Sequence, residues 1–149
     1  MSRRVRRAPL GFRARVAQAV AVGMLATGGA AAADLPGFRH GLWEFNRTVN
    51  GQKVASKECL NPTERMKAQN ARLEQSGCKF SPMEKAGSTY TSTSECAMKM
   101  PGGNTLRSSS KSVMTVESDS AYQLQVTGTL AGEPTSEQLV AKRIGDCPK

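Results

Sequence analysis

Four cysteines are the residues whose chemistry is easiest to predict in this 149-residue chain. A structural zinc site needs closely spaced ligand pairs, whereas 18, 17 and 50 residues separate consecutive cysteines and the chain has one histidine, His40. We therefore expect no metal ligand among them. An even number of cysteines is instead typical of disulfides in an exported protein. We expect two disulfides formed by Cys59, Cys78, Cys96 and Cys147.

Residues suited to catalysis are few. Both Ser-His-Asp and Cys-His arrangements would depend on His40 alone. The sequence has no Gly-x-Ser-x-Gly motif, no phosphate-binding loop and no Gly-x-Gly-x-x-Gly fingerprint. The carboxylates are scattered, and their spacing pairs no two of them as acid and base. We expect no catalytic residue, no cofactor and no enzymatic activity.

Two methionines have the chemistry to bind a soft metal ion. Met98 and Met100 are two residues apart, so their thioethers lie on one face of a strand, and sulfur ligands suit Cu(I). Methionine also fills gaps in a thin core. Because the chain has no denser run of methionines and no further histidine, packing is the favoured interpretation of this pair.

Trp43 and Phe45 are the residues that we expect to face an apolar ligand, if the protein binds one. They alternate with Glu44 and Asn46 in the stretch 42–49, a pattern typical of a strand with one buried face. The alternative is that Trp43, the only tryptophan, anchors the core of that strand. This alternative is favoured, since the chain offers few other large side chains to bury.

The first 33 residues have the composition of a cleavable signal peptide. A segment with six arginines and no acidic residue precedes an uncharged stretch over 16–33, which ends in Ala31-Ala32-Ala33. We predict cleavage before Asp34, a periplasmic or extracellular location, and no stable membrane anchor afterwards. Six of the 21 basic residues and none of the 12 acidic ones belong to this signal, so residues 34–149 keep a net charge of only +3. We therefore expect no nucleic-acid partner.

Residues 34–149 are expected to form one domain, made mainly of β-strands. Asn50-Gly51 is a strong hairpin signal, and short connections predict an antiparallel meander. The stretch from Ser88 to Ser120, rich in serine and threonine, is interpreted as strands with one polar face. Only 18 of these 116 residues are Leu, Ile, Val or Phe, which fits a domain stabilised by disulfides. The predicted strands are 42–49, 53–59, 79–86, 89–99, 105–117, 121–130 and 136–145.

One helix is predicted over residues 62–75. Asn61 is a suitable N-cap, Pro62 occupies the first helical position, and Glu64 gives a start similar to a capping box. Gly77 is a suitable stop signal.

The order of the cysteines favours one of the three possible pairings. Cys59 and Cys78 flank the predicted helix, and a bond between them would fix both of its ends, while Cys96–Cys147 would join a middle strand to the last one. This pairing requires the chain to fold back after the helix. Fourteen helical residues are about 21 Å long, whereas bonded cysteines have Cα atoms about 5.5 Å apart.

The chain resembles the DUF3617 family of exported bacterial proteins, which is defined by a domain of unknown function. The resemblance is carried by the signal peptide, the middle cysteines and three short motifs: Gly41-Leu42-Trp43-Glu44, Cys59-Leu60 before Pro62, and the terminal Arg143-Ile144-Gly145-Asp146-Cys147. It implies a periplasmic, disulfide-bonded β domain and supplies no activity and no site residue.

These observations predict a curved antiparallel sheet, half-barrel-like, with one short helix and two disulfides. We expect a non-enzymatic binding module that holds a small hydrophobic ligand or an envelope partner on the apolar face of the sheet. The alternative is an envelope-stress, redox-responsive or copper-responsive protein that acts through its disulfides or through Met98 and Met100. An apolar pocket near Trp43 would favour the first function, and an exposed disulfide would favour the second.

Overall fold

The computed structural model describes residues 33–149, so the predicted signal peptide lies outside the described residues except for Ala33. Within this range, eight strands form one open antiparallel sheet, accompanied by one helix. The predicted fold class is confirmed. The strands are β1 Gly41–Val49, β2 Gln52–Leu60, β3 Cys78–Phe80, β4 Glu84–Ala86, β5 Thr89–Lys99, β6 Thr105–Ser118, β7 Ala121–Leu130 and β8 Glu133–Gly145, and the helix is α1 Pro62–Gln75.

The strand order of the sheet is β2-β1-β8-β7-β6-β5-β3, and β4 also pairs with β5. Strands β5 to β8 form an antiparallel meander, as short connections predict. The hairpin β1–β2 extends the meander beyond its last strand, because β1 pairs with β8. As a result, β2 and β3 lie at opposite edges of the sheet, and α1 is the segment that connects them.

Two-residue turns close the hairpins β1–β2 and β7–β8. Asn50 and Gly51 have φ angles of 47° and 84°, and Ala131 and Gly132 have φ angles of 53° and 88°. Positive φ at both central residues matches the right-handed twist of the flanking strands. The first turn confirms the hairpin signal. The second is shorter than the gap between the predicted strands 121–130 and 136–145, so β8 begins at Glu133 rather than at residue 136.

The predicted strand 79–86 is two short strands, β3 and β4, with Ser81, Pro82 and Met83 between them. Proline has no N–H to donate to a strand ladder and interrupts it. Both pieces pair with β5. The prediction of β structure is therefore right here, and the prediction of one continuous strand is wrong.

The helix α1 has the predicted bounds. The side chain of Asn61 accepts a hydrogen bond from the backbone N–H of Glu64 at 3.3 Å, which is the expected N-cap. Gly77, with φ of 99°, follows the end of the helix in the left-handed conformation that glycine adopts most readily. No helix within residues 33–149 has both the length and the apolar character needed to cross a membrane.

The first turn of α1 is fixed to the segment that precedes β1. The hydroxyl of Thr63 accepts a hydrogen bond from the Phe38 N–H at 2.9 Å and donates one to the Pro36 carbonyl at 2.8 Å. The side-chain amide of Asn61 donates to the Phe38 carbonyl at 3.0 Å. These bonds hold the start of the helix over the face of the sheet that carries Trp43, which we call the inner face.

An aromatic cluster forms the centre of the core on the inner face. Trp43 is completely buried, and its indole N–H donates to the Arg39 carbonyl at 3.0 Å. The Phe38 ring lies between two neighbours, with ring centroids 5.8 Å from Trp43 and 4.7 Å from Tyr122. Trp43 is therefore a core residue. The buried core consists of Phe38, Trp43, Phe45, Tyr90, Met114, Tyr122, Leu139 and Ala141.

Both disulfides are present, but the pairing predicted for them is wrong. The bonds are Cys59–Cys147 and Cys78–Cys96. Cys78 and Cys96 are direct partners in the β3–β5 ladder. Cys59, at the end of β2, and Cys147, after β8, lie on either side of β1, with Cα atoms 5.5 Å apart. The predicted Cys59–Cys78 bond fails because α1 carries the chain from one edge of the sheet to the other.

Candidate functional site

A cleft of about 390 Å³ lies between α1 and the inner face of the sheet. Its size falls within the range of roughly 300–1,000 Å³ that is typical of small-molecule sites. The helix is held at its first turn and then crosses above strands whose inner side chains are partly serines. Space therefore remains between helix and sheet beside the aromatic core.

Alternate residues of the central strands form an apolar floor for the cleft. On β7 these are Tyr122, Leu124 and Val126, and the intervening side chains of this strand point to solvent. Leu124 is the ladder partner of both Leu139 on β8 and Met114 on β6, so three strands contribute to one apolar strip. The period of two that predicted these strands also determines which of their residues line the cleft.

The helix contributes one face to the cleft. Met66, Gln69 and Leu73 recur at the spacing of three and four residues that places side chains on the same side of a helix. Met66 and Leu73 are half-buried, and Met66 packs against the aromatic core. The roof of the cleft therefore combines thioether and aliphatic groups with one amide.

Serines on β5 and β6 form a polar wall. Ser92 pairs with Ser112 and Ser94 pairs with Ser110 across the two strands. The Oγ atoms of Ser94 and Ser110 are 2.8 Å apart and share a hydrogen bond. These serines lie on the same face as the buried Tyr90, so the inner face is mixed here. The polar face predicted for these strands is the outer one, where Thr93 and Glu95 are exposed. Each serine hydroxyl offers both a donor and an acceptor to a ligand.

Two ion pairs line the cleft beside these polar and apolar walls. The Arg47 Nε atom lies 3.0 Å from the Glu137 carboxylate, and the Arg65 guanidinium contacts the Glu58 carboxylate. All four side chains are partly exposed, so each pair contributes at most about 1 kcal/mol to stability. Their main effect is on the electrostatics of the cleft, because the two cations and the two anions of its lining balance.

The Tyr122 hydroxyl lies in the apolar environment of the cleft floor. Burial raises the pKa of Tyr122 to about 12, and the positive charges of Arg65 and Arg47 oppose this shift only in part. The folded protein therefore holds the neutral phenol to higher pH than the unfolded chain, in which tyrosine ionises near pH 10.

We expect this difference to make the protein less stable in alkali. Below about pH 10 the phenol is neutral in both states, and its contribution to stability is complete. Between about pH 10 and 12 the unfolded chain loses the proton first, so the free energy of unfolding falls as pH rises. Urea denaturation at pH 8 and at pH 11 should show a smaller loss of stability in Tyr122→Phe than in the wild type. Equal losses in the two proteins would contradict the assignment.

The residues predicted for the site have different positions. Phe45 lines the cleft, whereas Trp43 lies beneath it in the core and does not line it. Met98 is half-buried near the end of β5, and Met100 is exposed just after β5 ends. His40 lies away from the cleft, against the Cys59–Cys147 disulfide.

Sequence reasoning did not identify the polar lining of the cleft. Alternation with Phe45 places Arg47 on the inner face, but its partner Glu137 is known only once β1 is paired with β8. The alternating serines at 92, 94, 110 and 112 are visible in the sequence, and their period of two could have indicated a shared wall. Their register across β5 and β6 could not be inferred.

Comparison with known protein families gives a match that covers most of the chain. The model of a family described as "Protein of unknown function (DUF3617)" matches residues 38–147, which cover nearly all of the described chain. No curated protein and no solved structure matches the chain. The matched segment contains all the strands, the helix and both disulfides.

Proposed function

We propose that this chain, which belongs to the DUF3617 family, is a non-enzymatic binding protein that holds a small, mainly apolar ligand beneath α1. The observation that carries the proposal is the cleft of about 390 Å³ above the apolar strip of β6, β7 and β8. This chain has few large hydrophobic residues, yet some of those in the strip line the open cleft and do not pack against other side chains there. Apolar surface kept in a concave site is typical of ligand binding.

The chemistry of the walls indicates the class of ligand. Leu124, Val126 and Leu139 suit an apolar body, and the hydroxyls of the serine wall suit a neutral polar group such as an alcohol or a carbonyl. The charges of the lining are already paired. We therefore propose an amphipathic ligand without a net charge.

The arrangement of carboxylates supports binding rather than catalysis. Glu58 and Glu137 are the acidic residues that line the cleft, and each contacts an arginine. A general acid or base must instead be free to exchange a proton with a substrate. Two disulfides fit an oxidising compartment. Together with the predicted signal peptide, they support our proposal that the protein works in the periplasm.

Filling the cleft should weaken ligand binding without disturbing the sheet. Val126 lines the cleft from the middle of β7, and Thr127 next to it points to solvent on the other face. We expect Val126→Trp to weaken the binding of the uncharged fluorescent probe N-phenyl-1-naphthylamine at least about tenfold, which corresponds to about 1.4 kcal/mol. Fluorescence titration measures the affinity.

The matched control for this experiment is Thr127→Trp, which adds the same side chain on the outer face. This variant should bind the probe as the wild type does, and circular dichroism should show the same fold for all three proteins. Equal affinity of Val126→Trp and Thr127→Trp would show that the probe does not occupy the cleft, and the proposal would fail.

A redox-linked function is the second candidate. It is favoured by the exposed Cys59 of the Cys59–Cys147 disulfide and by the contact of its sulfurs with His40, the only histidine of the chain. Copper binding through Met98 and Met100 has less support, since Met100 lies beyond the end of β5 and alternation along a strand no longer determines where its side chain points.

A further inference from the structure

Three residues with metal-binding side chains meet at one end of the sheet, outside the cleft. His40 precedes β1, Cys59 lies near the end of β2, and Cys147 follows β8. The imidazole Nε2 is 3.9 Å from the Cys147 sulfur and 4.0 Å from the Cys59 sulfur. The ligand atoms of the three residues all lie within 4.8 Å of one another.

These distances are close to those of a tetrahedral zinc site. With Zn–S bonds of about 2.3 Å and Zn–N bonds of about 2.05 Å, tetrahedral angles place nitrogen and sulfur about 3.6 Å apart and two sulfurs about 3.8 Å apart. The Nε2 atom of His40, at 3.9 and 4.0 Å, is thus already near its ligating distance from both sulfurs. After cleavage of a disulfide bond of about 2.05 Å, only the sulfurs have to separate, by about 1.7 Å.

The backbone around the three residues is held in place independently of the disulfide. Cys59 and its neighbour Leu60 belong to the β1–β2 ladder. The Arg143 side chain donates to the His40 carbonyl at 3.0 Å and contacts the Asp146 carboxylate, one residue before Cys147. These contacts keep the three segments together when the sulfurs are no longer bonded.

The two disulfides differ in accessibility. His40 and Cys59 are exposed and Cys147 is half-buried, whereas Cys78 is only 4% exposed in the β3–β5 ladder. A reductant therefore reaches Cys59–Cys147 more readily. Thiol–disulfide exchange requires direct access to a sulfur atom.

We infer that His40, Cys59 and Cys147 form a zinc site when the Cys59–Cys147 disulfide is reduced. A dithiol reductant supplies two electrons and two protons: the S–S bond breaks, each cysteine gains one proton, and the dithiol becomes its own disulfide. Zn²⁺ then displaces both thiol protons and is bound by two thiolates and the neutral imidazole. A water molecule completes four-coordination on the exposed side.

Zinc titration of the reduced protein tests this inference. The protein is reduced with dithiothreitol, transferred to an anaerobic buffer containing a phosphine reductant, and titrated with Zn²⁺ against a chromogenic chelator. We expect one tight site in the reduced wild type, no tight site in the oxidised protein, and binding at least about tenfold weaker in His40→Ala, which is about 1.4 kcal/mol. Co²⁺ in place of Zn²⁺ should give a thiolate charge-transfer band that Cys59→Ala/Cys147→Ala lacks.

Thermal unfolding distinguishes a built site from loose binding by free thiols. Zn²⁺ should raise the melting temperature of the reduced wild type, because it binds the folded form. It should raise that of His40→Ala much less. Equal affinities or equal melting shifts in these two proteins would overturn the inference, as would a failure of Zn²⁺ to stabilise the reduced wild type. Undiminished Zn²⁺ binding by Cys59→Ala/Cys147→Ala would overturn it too.

Discussion

Replacing Trp43 with alanine should lower the free energy of unfolding by about 3–5 kcal/mol, as is typical when a large buried aromatic side chain is removed. Trp43 is completely buried, and its ring centroid lies 6.4 Å from that of Phe45 and 6.0 Å from that of Tyr122. The substitution also removes the indole N–H bonded to the Arg39 carbonyl. Because small domains have only about 5–15 kcal/mol of stability, this loss is a large part of the total.

Urea denaturation followed by circular dichroism measures the effect, and two variants serve as controls. Trp43→Phe keeps an aromatic ring in the core and should lose less stability than Trp43→Ala. Val140→Ala lies on the outer face of β8, where Val140 is 49% exposed, and should change stability by less than about 0.5 kcal/mol. A Trp43→Ala protein with the wild-type denaturation midpoint would show that Trp43 does not hold the core together.

Removing the Cys59–Cys147 disulfide should lower the free energy of unfolding by a similar amount. Its cysteines are 88 residues apart in sequence, against 18 for Cys78–Cys96. The chain-entropy relation gives a stabilisation of about 4.6 kcal/mol for the longer loop and about 3.2 kcal/mol for the shorter one. We expect the double variant Cys59→Ala/Cys147→Ala to be less stable than Cys78→Ala/Cys96→Ala by roughly 1.4 kcal/mol.

The comparison of the two double variants by urea denaturation contains its own control, since each removes one disulfide and leaves the other. The longer loop also joins β2 to the chain end beyond β8, on either side of β1. If Cys78→Ala/Cys96→Ala proved the less stable protein, loop closure would not be the main contribution of these bonds.

Local signals in the sequence predicted the elements of the fold closely. Asn61 and Pro62 define the start of α1, and Asn50-Gly51 defines the first hairpin, because capping and turn geometry depend on a few adjacent residues. Pairing between distant segments was not accessible in this way. No local signal indicates that β1 pairs with β8, and the order of strands at the edges of the sheet follows from that pairing.

The wrong disulfide pairing has the same origin. Proximity in sequence favoured Cys59 with Cys78, but the intervening helix connects opposite edges of the sheet. The cluster of His40 with Cys59 and Cys147 was missed for this reason too, since metal-site spacing rules apply to ligands that are close in sequence. Its members come from the segment before β1 and from the ends of two strands that flank β1.

The cleft was predicted only in part. Alternation along β1 correctly placed Phe45 on the same face as Trp43. The space beneath α1 depends on how far the helix stands from the sheet, which is set by tertiary contacts such as those of Thr63 with Pro36 and Phe38. The sequence does not specify this distance.

The most direct test of the proposed function is native mass spectrometry of the protein isolated, without detergent, from the cells that produce it. For the wild type and for Thr127→Trp, we predict a species heavier than the disulfide-bonded polypeptide by the mass of one small organic molecule. Val126→Trp, in which the cleft is filled, should appear as the polypeptide alone. A wild type that carries no added mass, or a Val126→Trp protein that carries the same added mass as the wild type, would contradict ligand binding in the cleft.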